Sequence, residues 1–138
     1  MQLTTALLLV AHGSREARAN ADLEALADQL RRRRRYRIVE VSFLELARPD
    51  IDTGAARCVA QGAEEVVMVP YFLSAGIHVR RDLVAACRRL NRRHAPIIFH
   101  LAEPLGPHPL LRRIIEERVH QVRGGGKTRR AVGRRGKA

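Results

Sequence analysis

Two imidazoles and one carboxylate recur at equal intervals in this 138-residue chain: His12, Glu45 and His78, each thirty-three residues from the next. Imidazole nitrogen and carboxylate oxygen together suit a first-row divalent ion such as cobalt, nickel, iron or zinc. Three protein ligands leave coordination positions open. That is the arrangement of a site that can hand its ion on, whereas a closed four-ligand site holds a metal for structure. The same groups can also accept protons from a donor within about 3 Å. A lone His or Glu at a strand end is more often a hydrogen-bonded or solvated residue; the equal spacing is what separates these three from that background.

The flanking residues suit a bulky anionic ligand. Gly13-Ser14 follows His12, and Ser74-Ala75-Gly76 precedes His78. Small residues let backbone approach a flat molecule, and Ser14 is placed to cap the helix that follows. Arg15, Arg80 and Arg81 flank the two histidines, and a guanidinium grips carboxylates through two parallel hydrogen bonds.

The elements that must position these residues alternate. Ala6–Ala11 is a short continuous apolar run, the pattern of a strand buried on both faces. Glu16–Arg34 carries apolar residues at intervals of three and four, an amphipathic helix. The pattern then repeats: a strand over Arg37–Leu44, a helix opened by Pro49-Asp50 and ending near Gly62, a strand over Glu65–Leu73, a helix over Val79–Arg93, a strand over Pro96–Leu101 and a helix over Pro109–Val122. This βαβαβαβα order predicts an α/β fold: an open parallel four-stranded sheet, doubly wound, with helices on both faces. One βα unit per thirty-three residues puts His12, Glu45 and His78 at corresponding places on the carboxyl edge, where ligands bind in such sheets. A strand order beginning 2-1-3 makes His12 central.

The chain is expected to be one domain over residues 1–122, followed by a basic Gly/Arg/Lys-rich tail over 123–138 with no periodic pattern. The formal net charge is +12, but twelve of the basic residues lie in the run Arg31–Arg35 and in the tail; the rest of the chain carries fourteen basic against fourteen acidic residues. Aromatic residues are 4% and Trp is absent, which argues against a stacking platform for single-stranded nucleic acid. No run of eighteen apolar residues is present, so no membrane span is expected. The apolar start, Met1–Val10, lacks a basic leader and a small-residue cleavage site and runs directly into His12, so it reads as a core strand of a cytoplasmic protein. Cys58 and Cys87 form no CxxC pair and read as buried, reduced thiols. Among the other histidines, His94 reads as solvated, His100 as hydrogen-bonded within its strand, and His108 as a residue that could line the same edge as His12.

His12-Gly13-Ser14-Arg15, Phe43-Leu44-Glu45 and the long segment Pro70–Asp82, Pro-Tyr-Phe-Leu-Ser-Ala-Gly-Ile-His-Val-Arg-Arg-Asp, resemble the CbiX/SirB family of class II tetrapyrrole chelatases. Glu103–Pro109 is similar to the family's fourth strand-to-helix turn, and the resemblance runs from Leu7 to Val122. It implies insertion of a divalent metal, cobalt first, then iron, with nickel in some relatives, into sirohydrochlorin on the routes to cobalamin or sirohaem. It also implies metal binding by His12 and His78, with Glu45 as third ligand or proton acceptor. Gly13, Ser14, Arg15, Ser74, Ala75, Gly76, Arg80 and Arg81 then become substrate contacts. No organic cofactor is implied; the metal is a substrate. Short members resemble half of longer two-domain enzymes and are expected to form homodimers. The tail departs from the His-rich segment of some short members.

Three other readings compete. A non-catalytic metal carrier or sensor would bind metal but no tetrapyrrole. A nucleic-acid-binding protein would exploit the charge, but the basic residues cluster at one helix end and in the tail, so no specific nucleic acid is expected. Histidine-type phosphatases also place His-Gly after the first strand, but they carry an Arg just before that His, where this chain has Ala11.

Overall fold

A computed structural model describes residues 2–124. The basic tail expected from residue 123 lies almost wholly outside them. The chain divides into two compact units between Leu105 and Gly106. The first holds β1 (Thr5–Ala11), α1 (Ala17–Arg32), β2 (Ile38–Phe43), α2 (Ile51–Ala60), β3 (Glu65–Pro70), α3 (Ile77–Arg93) and β4 (Ile98–Leu101). The second holds α4 (Pro109–Arg123).

All strand pairs are parallel, in the order β2-β1-β3-β4. The chain leaves β1 for a neighbour on one side, then crosses back past it to the other. Right-handed crossovers therefore send α1 to one face and α2 and α3 to the opposite face. The two cores follow that division. Ala6, Leu8 and Val10 of β1 pack with Ile51, Ala55 and Cys58 of α2 and with Leu83, Ala86 and Leu90 of α3. Leu9 packs with Val39, Val41, Leu23 and Ala27, the last two from α1. Alternate residues of β1 thus point to opposite cores, as expected for a strand buried on both faces.

Several boundaries differ from the sequence expectation, each for a local reason. β3 ends at Pro70, three residues before Leu73, because Tyr71 N–H makes the last bond to β1, at Val10 O, 2.7 Å. β4 begins at Ile98 because Pro96 has no N–H for a ladder and the Ile97 N–H is taken by His94 O at 2.9 Å. α1 stops at Arg32, since Arg34 turns into the left-handed region at φ 61°. α2 starts as the sequence indicates: Asp50 is its N-cap and accepts the Thr53 N–H at 2.8 Å.

In the second unit, His108 caps α4 by accepting the Leu110 N–H on Nδ1 at 3.0 Å, with Pro109 in the first turn. Among the described residues, no helix is long and apolar enough to cross a membrane.

Candidate metal site at the carboxyl edge

β1 is the central strand of the first three, and the chain reverses direction across it, so its carboxyl end is the switch point of the sheet. The last paired residues on the β2 side are Ala11 and Phe43. The ladder then runs on past the strands: Leu44 N–H donates to Ala11 O at 2.9 Å and Glu45 N–H to His12 O at 3.1 Å. This overrun brings Glu45 alongside His12, and His12 Nε2 stands 3.0 Å from Glu45 Oε1. Both side chains are more than half exposed, at 55% and 58%. Such a pair adds at most about 1 kcal/mol to stability, so folding does not demand it.

On the other side of β1, Val10 pairs with Pro70. Two residues further along, the neighbour of His12 is Phe72, whose ring meets the imidazole edge-on, with centroids 6.4 Å apart and planes at 70°. The Phe72 carbonyl accepts the Leu105 N–H at 2.9 Å, which anchors that turn. Phe72 was missed in the sequence. Its role follows from the β1–β3 register, which counting residues between histidines does not reveal.

The loop after β1 is held tightly. Gly13 has φ +102°, and a β-carbon on it would lie 1.8 Å from Glu45 O. Only glycine fits there. Ser14 does not cap α1, contrary to the sequence expectation. The N-cap is Glu16, which makes no side-chain cap bond, and Ser14 Oγ accepts the Glu16 N–H at 3.1 Å. The backbone of Ser14 is gripped by Asn20, a residue that sequence reasoning also missed: Ser14 N–H donates to Asn20 Oδ1 at 3.0 Å, and Asn20 Nδ2 donates to Ser14 O at 2.7 Å. Asn20 lies three and seven residues before the buried Leu23 and Ala27, and a polar side chain on that inner face was the signal available.

His78 stands differently. It is the second residue of α3, eight past the end of β3, whereas His12 is one past β1 and Glu45 two past β2. Equal sequence spacing is therefore not equal structural position, because the β3–α3 connection carries His78 off the edge and onto the helix. His78 is exposed. Among the described residues, no three His, Cys, Asp or Glu side chains gather closely enough to hold one ion. The structure thus joins His12 to Glu45 and leaves His78 apart in the single chain.

The remaining residues singled out by sequence are distributed around this edge. Ser74, Ala75 and Gly76 form the turn into α3. Gly76 is its N-cap at ordinary φ, with open space where a β-carbon would stand. Arg15, Arg80 and Arg81 are exposed; Arg80 approaches Glu103 at 3.7 Å, a loose surface contact. Ile77, Arg80, Arg81 and Val84 line an open groove of about 360 Å³ that begins next to His78. A larger groove, about 630 Å³, is lined by Thr5, Arg35, Tyr36 and Arg37 at the opposite, amino-terminal edge. His100 is bonded within the sheet: its Nε2 lies 3.1 Å from Glu65 Oε2, while Glu65 Oε1 accepts the Thr5 hydroxyl at 2.6 Å. These two bonds hold the Glu65 carboxyl below its ordinary range, the Thr5 hydroxyl contributing most.

Comparison with known proteins agrees with this architecture. The CbiX family model matches residues 6–122. A sirohydrochlorin cobaltochelatase of Priestia megaterium is 37% identical over 85% of this chain and 38% of its own length. A chloroplastic sirohydrochlorin ferrochelatase of Arabidopsis thaliana is 34% identical over 82% of this chain and 50% of its own. The crystal structure of the sirohydrochlorin chelatase SirB from Bacillus subtilis subspecies spizizenii, in complex with cobalt, superposes with a TM-score of 0.79 at 29% identity, over 86% of this chain and 51% of that one. The chain thus spans half the length or less of the curated relatives it matches first. By the extent of the family match, residues 6–122, this chain belongs to the CbiX family.

Proposed function

We propose that this protein inserts a divalent metal ion, cobalt by preference and iron next, into sirohydrochlorin in the cytoplasm, with His12, Glu45 and His78 as the working residues. The observation that carries the reading is the His12–Glu45 contact: an imidazole and a carboxylate 3.0 Å apart, exposed, at the switch point of the sheet. The names of the relatives, cobaltochelatase and ferrochelatase alike, support the reaction class.

Metal insertion forms bonds from the ion to the pyrrole nitrogens and releases two N–H protons from the macrocycle. Glu45, when ionised, only accepts, and is the natural first stop for such a proton. With Nε2 facing a carboxylate oxygen, His12 carries its proton on Nε2 in the metal-free state. A metal that takes Nε2 must displace that proton, whereas one that takes Nδ1 need not, so proton release on binding is the mark of the Nε2 mode. Arg15, Arg80 and Arg81 are available for the carboxylates of the macrocycle.

The site is an open ledge in one chain, with the His12 and Glu45 side chains both more than half exposed. We therefore propose a homodimer in which a second copy supplies the opposite wall, with residues 1–122 as the chelatase unit and 123–138 as an appended basic arm.

The test is the absorbance change of sirohydrochlorin on mixing the protein with Co²⁺, Fe²⁺ or Ni²⁺ in turn. Acceleration by the parent protein, with most of the rate lost in His12→Ala and again in His78→Ala, is expected. Full turnover in both variants would remove the site assignment. Metal uptake with no effect on the macrocycle would point to a carrier instead.

A further inference from the structure

We propose that Asn20 is a positioning residue for His12, acting through Ser14; the proposal rests on the reading of His12 as a metal ligand. The connection from β1 to α1 is five residues long, His12 to Glu16. On one side it is tied to β2 through the Glu45 N–H bond to His12 O. On the other, one planar amide holds both backbone polar groups of Ser14: Oδ1 takes the N–H at 3.0 Å and Nδ2 gives to the C=O at 2.7 Å. Between the two ties lies Gly13, the residue with the widest backbone freedom.

Among the described residues, no other bond joins the Ser14 backbone to α1. The α1 N-cap, Glu16, makes no side-chain cap bond, and the first turn has no acidic residue. Glu16 O accepts the Ala19 N–H at 3.2 Å and the Asn20 N–H at 3.4 Å, and Glu16 N–H donates to Ser14 Oγ at 3.1 Å, so this second path from Ser14 to the helix runs through a rotatable hydroxyl and leaves the Ser14 backbone unheld. Asn20 therefore couples the loop to α1, whose Leu23 and Ala27 are buried against the sheet. Without it, the loop beyond Gly13 is free to move, and His12 is held from one side only, by the Glu45 N–H bond to its carbonyl. The clamp also satisfies the Ser14 backbone, which leaves the Ser14 hydroxyl hydrogen as its free donor to a ligand.

The experiment compares Co²⁺ affinity, measured by titration without tetrapyrrole, with steady-state insertion kinetics, all in the full chain. Asn20→Ala is expected to weaken Co²⁺ binding by about ten-fold or more, since displacement of a ligand by about 1 Å carries losses of that order. The KM for the macrocycle should rise by less than the Co²⁺ dissociation constant, because of the three arginines only Arg15 lies in this loop, while Arg80 and Arg81 stand on α3. Asn20→Asp keeps the size but sets an oxygen against Ser14 O, and should fall at least as far. Ala21→Gly, on the exposed face of α1, weakens the helix without touching Ser14 and should leave Co²⁺ affinity at the parent value despite a lower Tm. Parent-like Co²⁺ affinity in Asn20→Ala or Asn20→Asp would overturn the proposal, as would an equal loss in Ala21→Gly. His12→Ala separates the two levels: if it binds Co²⁺ as the parent does, the site reading itself fails; if it does not, the Asn20 variants decide the present proposal alone.

Discussion

Gly13 lies against the backbone carbonyl of Glu45 so closely that a β-carbon would stand 1.8 Å from the oxygen, and its φ is +102°. The two residues come from different βα units, and this approach is what lets the Glu45 carboxylate reach the imidazole beside Gly13. Gly13→Ala combines a collision with backbone, which cannot rotate away, and a left-handed conformation that a side chain resists. We expect it to cost at least about 2 kcal/mol, read from the urea midpoint, and to weaken Co²⁺ binding by moving Glu45 from His12. An alanine variant as stable as the parent would mean the loop is freer than this geometry requires.

Leu46, the residue after Glu45, has φ 65° and is 52% exposed. Its conformation costs roughly 1–2 kcal/mol for a side-chain-bearing residue, and little burial offsets it. Glycine removes the strain but adds backbone freedom to the unfolded chain, worth about 0.5–1 kcal/mol. Leu46→Gly should therefore raise stability by a net of about 0.5–1 kcal/mol, visible as a small increase in Tm. A fall in Tm would show that the leucine is held by packing.

Asp50 caps α2. The Thr53 backbone N–H, above all, holds its carboxyl below the ordinary value of 3.8. A group depressed in the folded state contributes stability above its ordinary value and loses it as pH falls through the lower folded one. Asp50→Ala should cost about 1 kcal/mol at neutral pH, with the gap between variant and parent closing in acid. A gap that widened on acidification would contradict the assigned sign.

Burial pushes the Cys58 thiol up to about 12, and burial also raises Cys87, which is only partly covered. Thiolate is the reactive form. At pH 8, alkylation of native protein by iodoacetamide should be slow at both, with Cys87 labelled before Cys58. Rapid labelling of Cys58 without unfolding would show that α2 opens readily from the sheet.

The alternation of apolar runs with amphipathic stretches determined the four βα units, because strand and helix periods are local properties of the chain. The Asp50 cap was legible for the same reason: Pro49-Asp50 sits directly before the helix it starts. The residue types at 12, 45 and 78 determined what chemistry the edge could host. Which of those residues meet was decided by the tertiary structure. Hydrogen bonding between β1 and β2, which runs two residues past the strands, brings Glu45 to His12; the β1–β3 register puts Phe72 where equal spacing pointed to His78. Loop length moved His78 onto a helix, and the Asn20 grip on Ser14 depends on how α1 packs back against the sheet. Periodicity records the direction each residue faces within its own element; register and loop path depend on partners distant in sequence, and no count along one chain contains them.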